Sequence, residues 1–311
     1  MSYLITHAPH LKDKASVPTL MYTVMIALVP ATLAGIYFFG LRALGLVLVC
    51  VLTALATEYL MCKIMKKDLT LSDGSAVVTG LLLALCVTPS LPYFAAILGT
   101  IFAIVIGKLL FGGLGYNIFN PALIGRAFLA AAFPVHMTSW TVTRGVEAIS
   151  SATPLALMKF QHQLTPYWKL LIGNISGSIG ETSALLLLLG GSFLVWRSII
   201  NWRIPLSYLG TVAVLGGIFW LVNPARYPDP LFHLLAGGLM LGAWFMATDL
   251  VTSPLTSRGM WIFGVGAGVL VVVIRLFSGL PEGVMYSILI MNAFVPLINR
   301  YSRPRILGRG W

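Results

Sequence analysis

The chain has 311 residues, of which 58% are hydrophobic and only 9% are charged. This composition excludes an ordinary soluble globular protein, which could not bury so much apolar surface, and predicts a protein surrounded largely by membrane lipid. The 20 basic and 9 acidic residues give a formal net charge of +11. Because the basic residues lie in gaps between long apolar runs, we do not expect nucleic-acid binding.

Long apolar runs bounded by glycine, proline and charged residues predict the membrane spans. A span requires about 20 apolar residues, so the chain has room for about ten spans and modest loops. The first five predicted spans cover roughly 20–39, 41–62, 74–88, 91–111 and 117–133, and the second five cover roughly 181–200, 204–222, 231–249, 259–277 and 282–299. Residues 1–133 are therefore predicted to form a first five-helix unit, residues 134–180 a connecting loop, and residues 181–311 a second five-helix unit.

The distribution of lysine and arginine predicts the orientation of the chain, because cytoplasmic loops retain an excess of these residues. Thirteen of them fall on one side of the predicted topology: Lys12, Lys14, Lys63, Lys66, Lys67, Lys108, Arg197, Arg203, Arg258, Arg300, Arg303, Arg305 and Arg309. Six fall on the other side: Arg42, Arg144, Lys159, Lys169, Arg226 and Arg275. We therefore expect a multi-pass protein of the cell (inner) membrane, with both termini in the cytoplasm and residues 134–180 outside it.

The two predicted units resemble each other in sequence. Gly107–Leu114 ends the fourth span and the similar segment Ile274–Leu280 ends the ninth, each about twenty residues after a Thr-Pro or Ser-Pro pair. Because five is an odd number of spans, the units would insert with opposite orientations, as in inverted-repeat proteins whose ligand sites lie at the repeat interface. Glycines four residues apart, such as Gly264 and Gly268, predict close helix packing.

A polar, glycine-rich segment at residues 112–122 interrupts the apolar pattern at membrane depth. An unpaired backbone group at this depth costs several kcal/mol, so the segment is either a short turn between helices or a break over a cavity that holds a ligand. In the second case Asn117 and Asn120 would supply hydrogen-bond donors and acceptors to a polar heterocycle. The sequence leaves both interpretations open.

Arg126 lies within a predicted span, about one and a half turns beyond this segment, and is expected to face an internal partner or an anionic group. It is therefore also a candidate cofactor-binding residue. The acidic residues considered as partners are Glu58, Asp73, Glu181 and Asp249. Acids within a membrane commonly mark ion pathways, which makes these four the candidates for ion passage. The alternative for Asp73 and Asp249 is that they cap helices or lie in the headgroup layer.

The connecting loop contains the stretch Glu147-Ala148-Ile149-Ser150-Ser151-Ala152-Thr153-Pro154. Taken alone, it is a Ser/Thr-rich turn that displays hydroxyl groups on an exposed loop. No histidine or acid is placed to form a catalytic triad with Thr153. The three cysteines also lack the spacing of a metal or redox pair, so this chain alone presents no complete active site.

Family resemblance adds to this interpretation. Residues 147–153 resemble the flavinylation motif, in which an acid, two free positions, Ser or Thr, usually Gly, then Ala and Thr are recognised by a separate flavin transferase. The chain has Glu147 where aspartate is usual and Ser151 where glycine is usual. Residues 73–75, 112–122, 180–183 and 247–249 are similar to signature stretches of the NqrB and RnfD family, and the resemblance spans essentially the whole chain.

The resemblance implies a membrane flavoprotein whose FMN phosphate is esterified to Thr153, with Ser150, Ser151 and Ala152 completing the attachment motif. It also implies a second, non-covalent flavin such as riboflavin near Asn117 and Asn120. The family fold resembles that of urea transporters, with two inverted five-helix repeats. The expected fold is therefore an all-α membrane protein of about ten transmembrane helices.

Within the family, the chain resembles members from Rnf complexes, because it begins almost directly at the first span. The implied role is to relay electrons in a ferredoxin:NAD oxidoreductase complex coupled to Na⁺ or H⁺ translocation, with the other Rnf subunits and a flavin transferase as partners. The alternative within the family is the NqrB-type subunit of a Na⁺-translocating NADH:quinone reductase. Outside it, the inverted repeat and broken helix would also suit a channel or transporter for a small polar solute.

Overall fold

In the computed structural model of the protein, residues 16–140, 152–224 and 226–303 are described. These residues form helices joined by loops, with no β-strand among them, so the prediction of an all-helical chain is confirmed for the described part. In chain order the helices are α1 (Val17–Phe39), α2 (Leu41–Ile64), α3 (Ser75–Cys86), α4 (Tyr93–Ile104), α5 (Pro121–Ala132), α6 (Pro134–Thr138), α7 (Pro154–Gln161), α8 (Tyr167–Ile172), α9 (Ala184–Trp196), α10 (Arg203–Val222), α11 (Pro230–Leu235), α12 (Leu239–Leu241), α13 (Ser257–Phe277) and α14 (Val284–Tyr301). Two of them continue as π-helices, α4 over Val105–Leu109 and α12 over Gly242–Met246.

Four helices, α1, α2, α10 and α13, are long and apolar enough to cross a membrane by their length and composition. The helices α3 and α5 have 12 residues each. They measure about 18 Å, which is shorter than the hydrocarbon core of about 30 Å. The eighth predicted span is not continuous, because α11 ends at Leu235 and α12 begins at Leu239, with Gly237 between them at a φ of 72°. Ten spans in two inverted repeats therefore stay a prediction.

Three helices begin at a polar residue that is followed by proline. Asn120, Thr153 and Asp229 each accept a hydrogen bond from a backbone N–H two or three residues further along, and so begin α5, α7 and α11. The proline that follows each of them lacks an N–H, which is not needed at the first helical position. Local sequence therefore fixes where these helices start, and two of the three caps are predicted cofactor residues.

The helices α10 and α13 approach each other closely at glycine. A Cβ atom on Gly264 would lie 1.8 Å from Ser207 Oγ, and one on Gly268 would lie 2.6 Å from Thr211 Cβ. Neither site has room for a larger side chain, so the prediction that this glycine pair permits close packing is confirmed. The helices α1 and α9 meet similarly at Gly190, where a Cβ atom would lie 2.4 Å from a backbone oxygen of α1.

The connecting segments gather at two ends of the helices. At one end, which we call the Asn120 end, the segment before α5 and the segment before α13 line a common cleft. At the other end, the Thr153 end, Lys159 of α7 donates hydrogen bonds to backbone carbonyls at the C-terminal end of α13. Because α13 has 21 residues, the two ends are about 31 Å apart along its axis.

Candidate functional site

At the Asn120 end, a small cleft of about 60 Å³ lies between residues from both halves of the sequence. We call it the amide cleft; its polar lining residues are Ser75, Thr79, Lys108, Asn117, Asn120, Thr248 and Asp249. The structure thus brings the two predicted asparagines together with one of the predicted ion-pathway acids.

The two asparagines use their amides differently. Asn120 accepts two helix-capping hydrogen bonds at Oδ1, and its Nδ2 donates to the backbone oxygen of Met246 at 3.3 Å. Asn117 donates from Nδ2 to the backbone oxygen of Phe119 at 3.2 Å, whereas its buried Oδ1 has no hydrogen-bond partner among the described residues. An unpaired buried acceptor costs about 1–3 kcal/mol. Asn117 therefore has an unused buried acceptor, whereas Asn120 caps the start of α5.

An ion pair lies against the amide cleft. Lys108 is 1% exposed, and its Nζ lies 2.8 Å from both carboxylate oxygens of Glu58 and 2.5 Å from Ser75 Oγ. The hydroxyl of Thr70 donates to Glu58 Oε1 at 2.5 Å. The prediction that Lys108 lies in a loop and helps to orient the chain was wrong, because its ammonium is paired inside the protein. The same correction applies to Arg275, which is 3% exposed.

Arg126 connects the two halves of the sequence. Its Nη2 lies 2.6 Å from Glu282 Oε2 and 3.9 Å from Glu181 Oε1. Glu282 Oε1 also accepts a hydrogen bond from the backbone N–H of Gly238 at 2.6 Å. The prediction that Arg126 has an internal partner is confirmed. Of the four acids considered as partners, only Glu181 forms an ion pair with Arg126 among the described residues. The closer partner, Glu282, was missed because it stands at the edge of the last predicted span, where an acid suggests a loop.

The other predicted ion-pathway acids divide into two kinds. Asp73 Oδ1 accepts a hydrogen bond from the backbone N–H of Ser75 at 2.7 Å, at the start of α3. Asp249 Oδ2 accepts from the hydroxyl of Thr252 at 2.9 Å. These local contacts fit the alternative of helix capping and turn formation. Glu58, in contrast, is fully buried beside a cation.

Thr153 begins α7 at the opposite end of the helices. Its side chain is 8% exposed, and its Oγ1 accepts a hydrogen bond from the backbone N–H of Ala156 at 3.3 Å. The expectation that this hydroxyl lies on an exposed loop was wrong, because the residue caps a helix whose next residues are buried. Ala152 is half-buried, whereas the predicted motif residues Ser150 and Ser151 lie outside the described residues.

A second cleft, of about 300 Å³, lies beside α7 at the Thr153 end. We call it the His233 cleft; residues that line it include Leu155, Lys159, Arg226, Tyr227, His233 and Arg275. Sequence reasoning missed this cleft because its residues come from separate segments of the chain and form no motif. An isolated histidine within an apolar run was the one available signal.

Polar contacts hold the segment 154–172 onto the helices at this end. The phenol of Tyr167 donates a short hydrogen bond to Asp229, which raises the pKa of Tyr167 to about 12 because the carboxylate stabilises the protonated phenol. The ammonium of Lys159 donates to three backbone carbonyls at and beyond the end of α13, at 2.5 to 2.8 Å. Burial lowers the pKa of this ammonium. These hydrogen bonds fix the position of α7 against the end of α13.

The described residues form helices, four of which are apolar and of membrane-crossing length, with paired charges buried between them. These features define a helical membrane protein. The chain belongs to the NQR2, RnfD, RnfE family, whose sequence profile matches residues 4–308. The family resemblance predicted from the sequence motifs is therefore confirmed.

Three relatives align with nearly the whole chain, and each is the component designated D of its complex. The chain is 45% identical over 318 residues to that component of the proton-translocating ferredoxin:NAD(+) oxidoreductase complex of Clostridium ljungdahlii, covering 98% of this chain and 96% of that protein. It is 45% identical over 312 residues to that component of the Na(+)-translocating ferredoxin:NAD(+) oxidoreductase complex of Acetobacterium woodii, covering 99% and 96%. It is 38% identical over 349 residues to that component of the ion-translocating oxidoreductase complex of Escherichia coli, covering 99% of each.

Proposed function

We propose that this chain is the membrane flavoprotein subunit of an ion-translocating ferredoxin:NAD⁺ oxidoreductase complex of the Rnf type, and that it carries FMN as a phosphoester on Thr153. Family membership and the names of relatives aligned over nearly their full length support the complex. Those names favour this role over that of an NqrB-type subunit. The other Rnf subunits and a flavin transferase are the proposed partners.

The position of Thr153 Oγ1 carries the proposal of a covalent flavin. The oxygen lies at the N-terminus of α7, where first-turn N–H groups and the helix dipole favour a negatively charged phosphate. An ester oxygen keeps a lone pair, so the hydrogen bond from Ala156 can persist after the phosphate is attached. The described residues therefore fit a phosphoester at this hydroxyl.

The chain holds the attached flavin in position, and the flavin supplies the redox chemistry. When bound, FMN supplies one- and two-electron transfer, which no amino-acid side chain offers. The helix that carries Thr153 is fastened by Lys159 and by Leu155, whose Cδ1 lies 2.5 Å from where a Cβ atom on Gly237 would be. The attachment residue is thus held at the α11–α12 break, and Gly237 supplies the space that Leu155 occupies.

We also propose that a non-covalent flavin such as riboflavin binds in the amide cleft. Asn117 Oδ1 is a buried acceptor that lacks a partner among the described residues and suits a ring N–H. Val78 and Phe245 provide apolar walls for the ring faces. Asn120 Oδ1 already accepts two hydrogen bonds and Nδ2 already donates one, so we propose that this residue positions the wall of the cleft.

For the coupled ion, we propose Glu58 and Glu181 as the acids of the pathway. Each is buried near a cation, whereas Asp73 and Asp249 serve local hydrogen bonds. Buried acids between membrane helices are functional by default. The relatives named for proton and for Na(+) translocation are equally similar to this chain, at 45% identity.

In-gel flavin fluorescence of the denatured chain, produced together with its flavin transferase, tests the covalent flavin. Thr153→Asn preserves a good helix cap but removes the hydroxyl, so the folded variant should lose fluorescence. The matched control is Thr165→Asn, at the other Thr-Pro pair of the segment, which should keep it. Absence of in-gel fluorescence from the native chain, or fluorescence from the Thr153→Asn chain, would contradict the proposal.

A further inference from the structure

We propose that the His233 cleft holds the isoalloxazine ring of the flavin attached to Thr153. This inference rests on the proposed function, because it requires FMN at that residue. It adds the ring's binding site and the residues that set its reduction potential.

The cleft begins beside the attachment residue. Leu155 and Met158 of α7 line it, and Leu155 lies two residues beyond Thr153, or about 3 Å of helix rise. Further lining residues come from α11, the end of α13 and the loop that contains Tyr227. Its volume of about 300 Å³ lies at the lower end of the range of sites for small organic ligands. The attachment residue and the cleft are therefore neighbours along α7.

Two buried polar side chains in the cleft have unused hydrogen-bonding groups. His233 is 2% exposed, and neither ring nitrogen has a hydrogen-bond partner in the described part of the chain. Arg275 is 3% exposed; its Nη1 and Nη2 donate to the backbone oxygens of His233 and Ala236 at 2.6 and 2.9 Å, but its Nε has no partner among the described residues. Leaving such groups unpaired is unfavourable, which indicates a polar ligand.

The chemistry of these groups matches the pyrimidine edge of a flavin. That edge carries carbonyl oxygens and ring nitrogens that accept hydrogen bonds, together with one N–H that donates. A neutral imidazole offers one donor and one acceptor, and a guanidinium Nε–H offers a donor. An apolar ligand would leave the nitrogens of His233 and Arg275 unpaired, and a simple anion would use only their donors.

The charges around the cleft favour a ring that takes up electrons. Lys159, Arg226 and Arg275 line it, and none of the described lining residues is acidic. The guanidinium of Arg226 lies 5.5 Å from the centre of the Tyr227 ring, so the rim presents a cation and an aromatic face together. Positive charge beside a flavin stabilises the reduced form and raises the reduction potential.

A redox titration followed by visible absorbance tests the inference on the full chain produced with its flavin transferase. The difference between the native and Thr153→Asn chains isolates the signal of the flavin at Thr153. His233→Phe preserves the ring volume but removes both nitrogens, and Arg226→Gln removes a charge from the exposed rim. The controls are His136→Phe, at an exposed histidine outside the cleft, and Lys169→Gln, whose ammonium lies 5.6 Å from the Trp168 ring.

Each cleft variant should lower the two-electron reduction potential of this flavin by at least about 30 mV, which is a tenfold change in the equilibrium constant. Each should also shift the visible absorption bands of the flavin. The control variants should have smaller effects. Equal effects in cleft and control variants, or none in either, would overturn the inference while leaving FMN at Thr153. If the His233→Phe chain does not fold, the comparison of Arg226→Gln with Lys169→Gln tests the inference by itself. Failure of the proposed function differs, because the native chain would then give no in-gel fluorescence.

Discussion

The buried ammonium of Lys108 depends on Glu58, and this dependence can be measured. Lys108→Met leaves the Glu58 carboxylate fully buried with the Thr70 hydroxyl as its described side-chain partner. A buried charge that loses its partner costs about 3–5 kcal/mol. We expect this variant to lower the thermal unfolding midpoint of the detergent-solubilised chain.

The double variant Lys108→Met/Glu58→Gln serves as its control. It removes both charges, so it should recover part of the lost stability. A single variant as stable as the native chain, or a double variant no more stable than the single one, would show that the pair is not a coupled buried unit.

Asn117 can be tested separately from Thr153. Asn117→Leu removes the buried acceptor of the amide cleft, so the flavin released on denaturation should fall while the flavin attached to the polypeptide remains. The measurement is fluorescence of the supernatant after the denatured protein is precipitated. Asn223→Leu, the same change at an exposed position, should leave the released flavin unchanged. Undiminished release from Asn117→Leu would exclude this residue from the second flavin site.

At the residue scale, the sequence identifies side chains better than it identifies their partners. The cost of an intramembrane charge predicts that Arg126 has a partner, and Glu181 was among those named. Glu282, however, is 156 positions away in the chain and meets Arg126 only through folding. For Thr153, the following proline was a cap signal that the exposed-loop interpretation did not use.

At the element scale, close packing of α10 against α13 predicts opposite effects for two glycine substitutions. Gly264→Ala would place its Cβ 1.8 Å from Ser207 Oγ, so it should lower the unfolding midpoint. At Gly210, within α10, no described atom lies within 4 Å of the added Cβ. Gly210→Ala should raise the midpoint, because glycine costs up to about 1 kcal/mol relative to alanine inside a helix. Effects of the same sign at both sites would contradict this packing.

Helix boundaries could be predicted where local sequence signals are strong. They could not be predicted where tertiary contacts determine where a helix ends. The prediction for 41–62 is close to the observed Leu41–Ile64 because a continuous apolar run defines it. The prediction for 231–249 missed the break at Gly237, because glycine in an apolar run is compatible with an unbroken helix. The break is stabilised by Arg275 and Glu282, which bond its backbone from distant positions.

At the scale of the whole molecule, composition predicts the membrane class and the motifs predict the family. The orientation and the inverted repeat stay predictions. Lys108 and Arg275, which occupy matching positions in the two similar segments, are both buried, so neither acts as a topology signal.

The competing role as a solute channel is also a property of the whole molecule. A channel predicts flux of a small polar solute into liposomes that contain this chain alone. We expect no flux, because Lys108 and Glu58 form a buried ion pair against the amide cleft. Flux by a chain that carries no flavin would favour the channel.

The covalent flavin at Thr153 is the central claim, and the mass of the tryptic peptide 145–159 tests it most directly. This peptide, bounded by Arg144 and Lys159, contains Ser150, Ser151 and Thr153. In the native chain made with its flavin transferase, we predict an added mass of FMN less one water, localised by fragmentation to Thr153. An unmodified peptide, or the same mass localised to Ser150 or Ser151, would contradict the account.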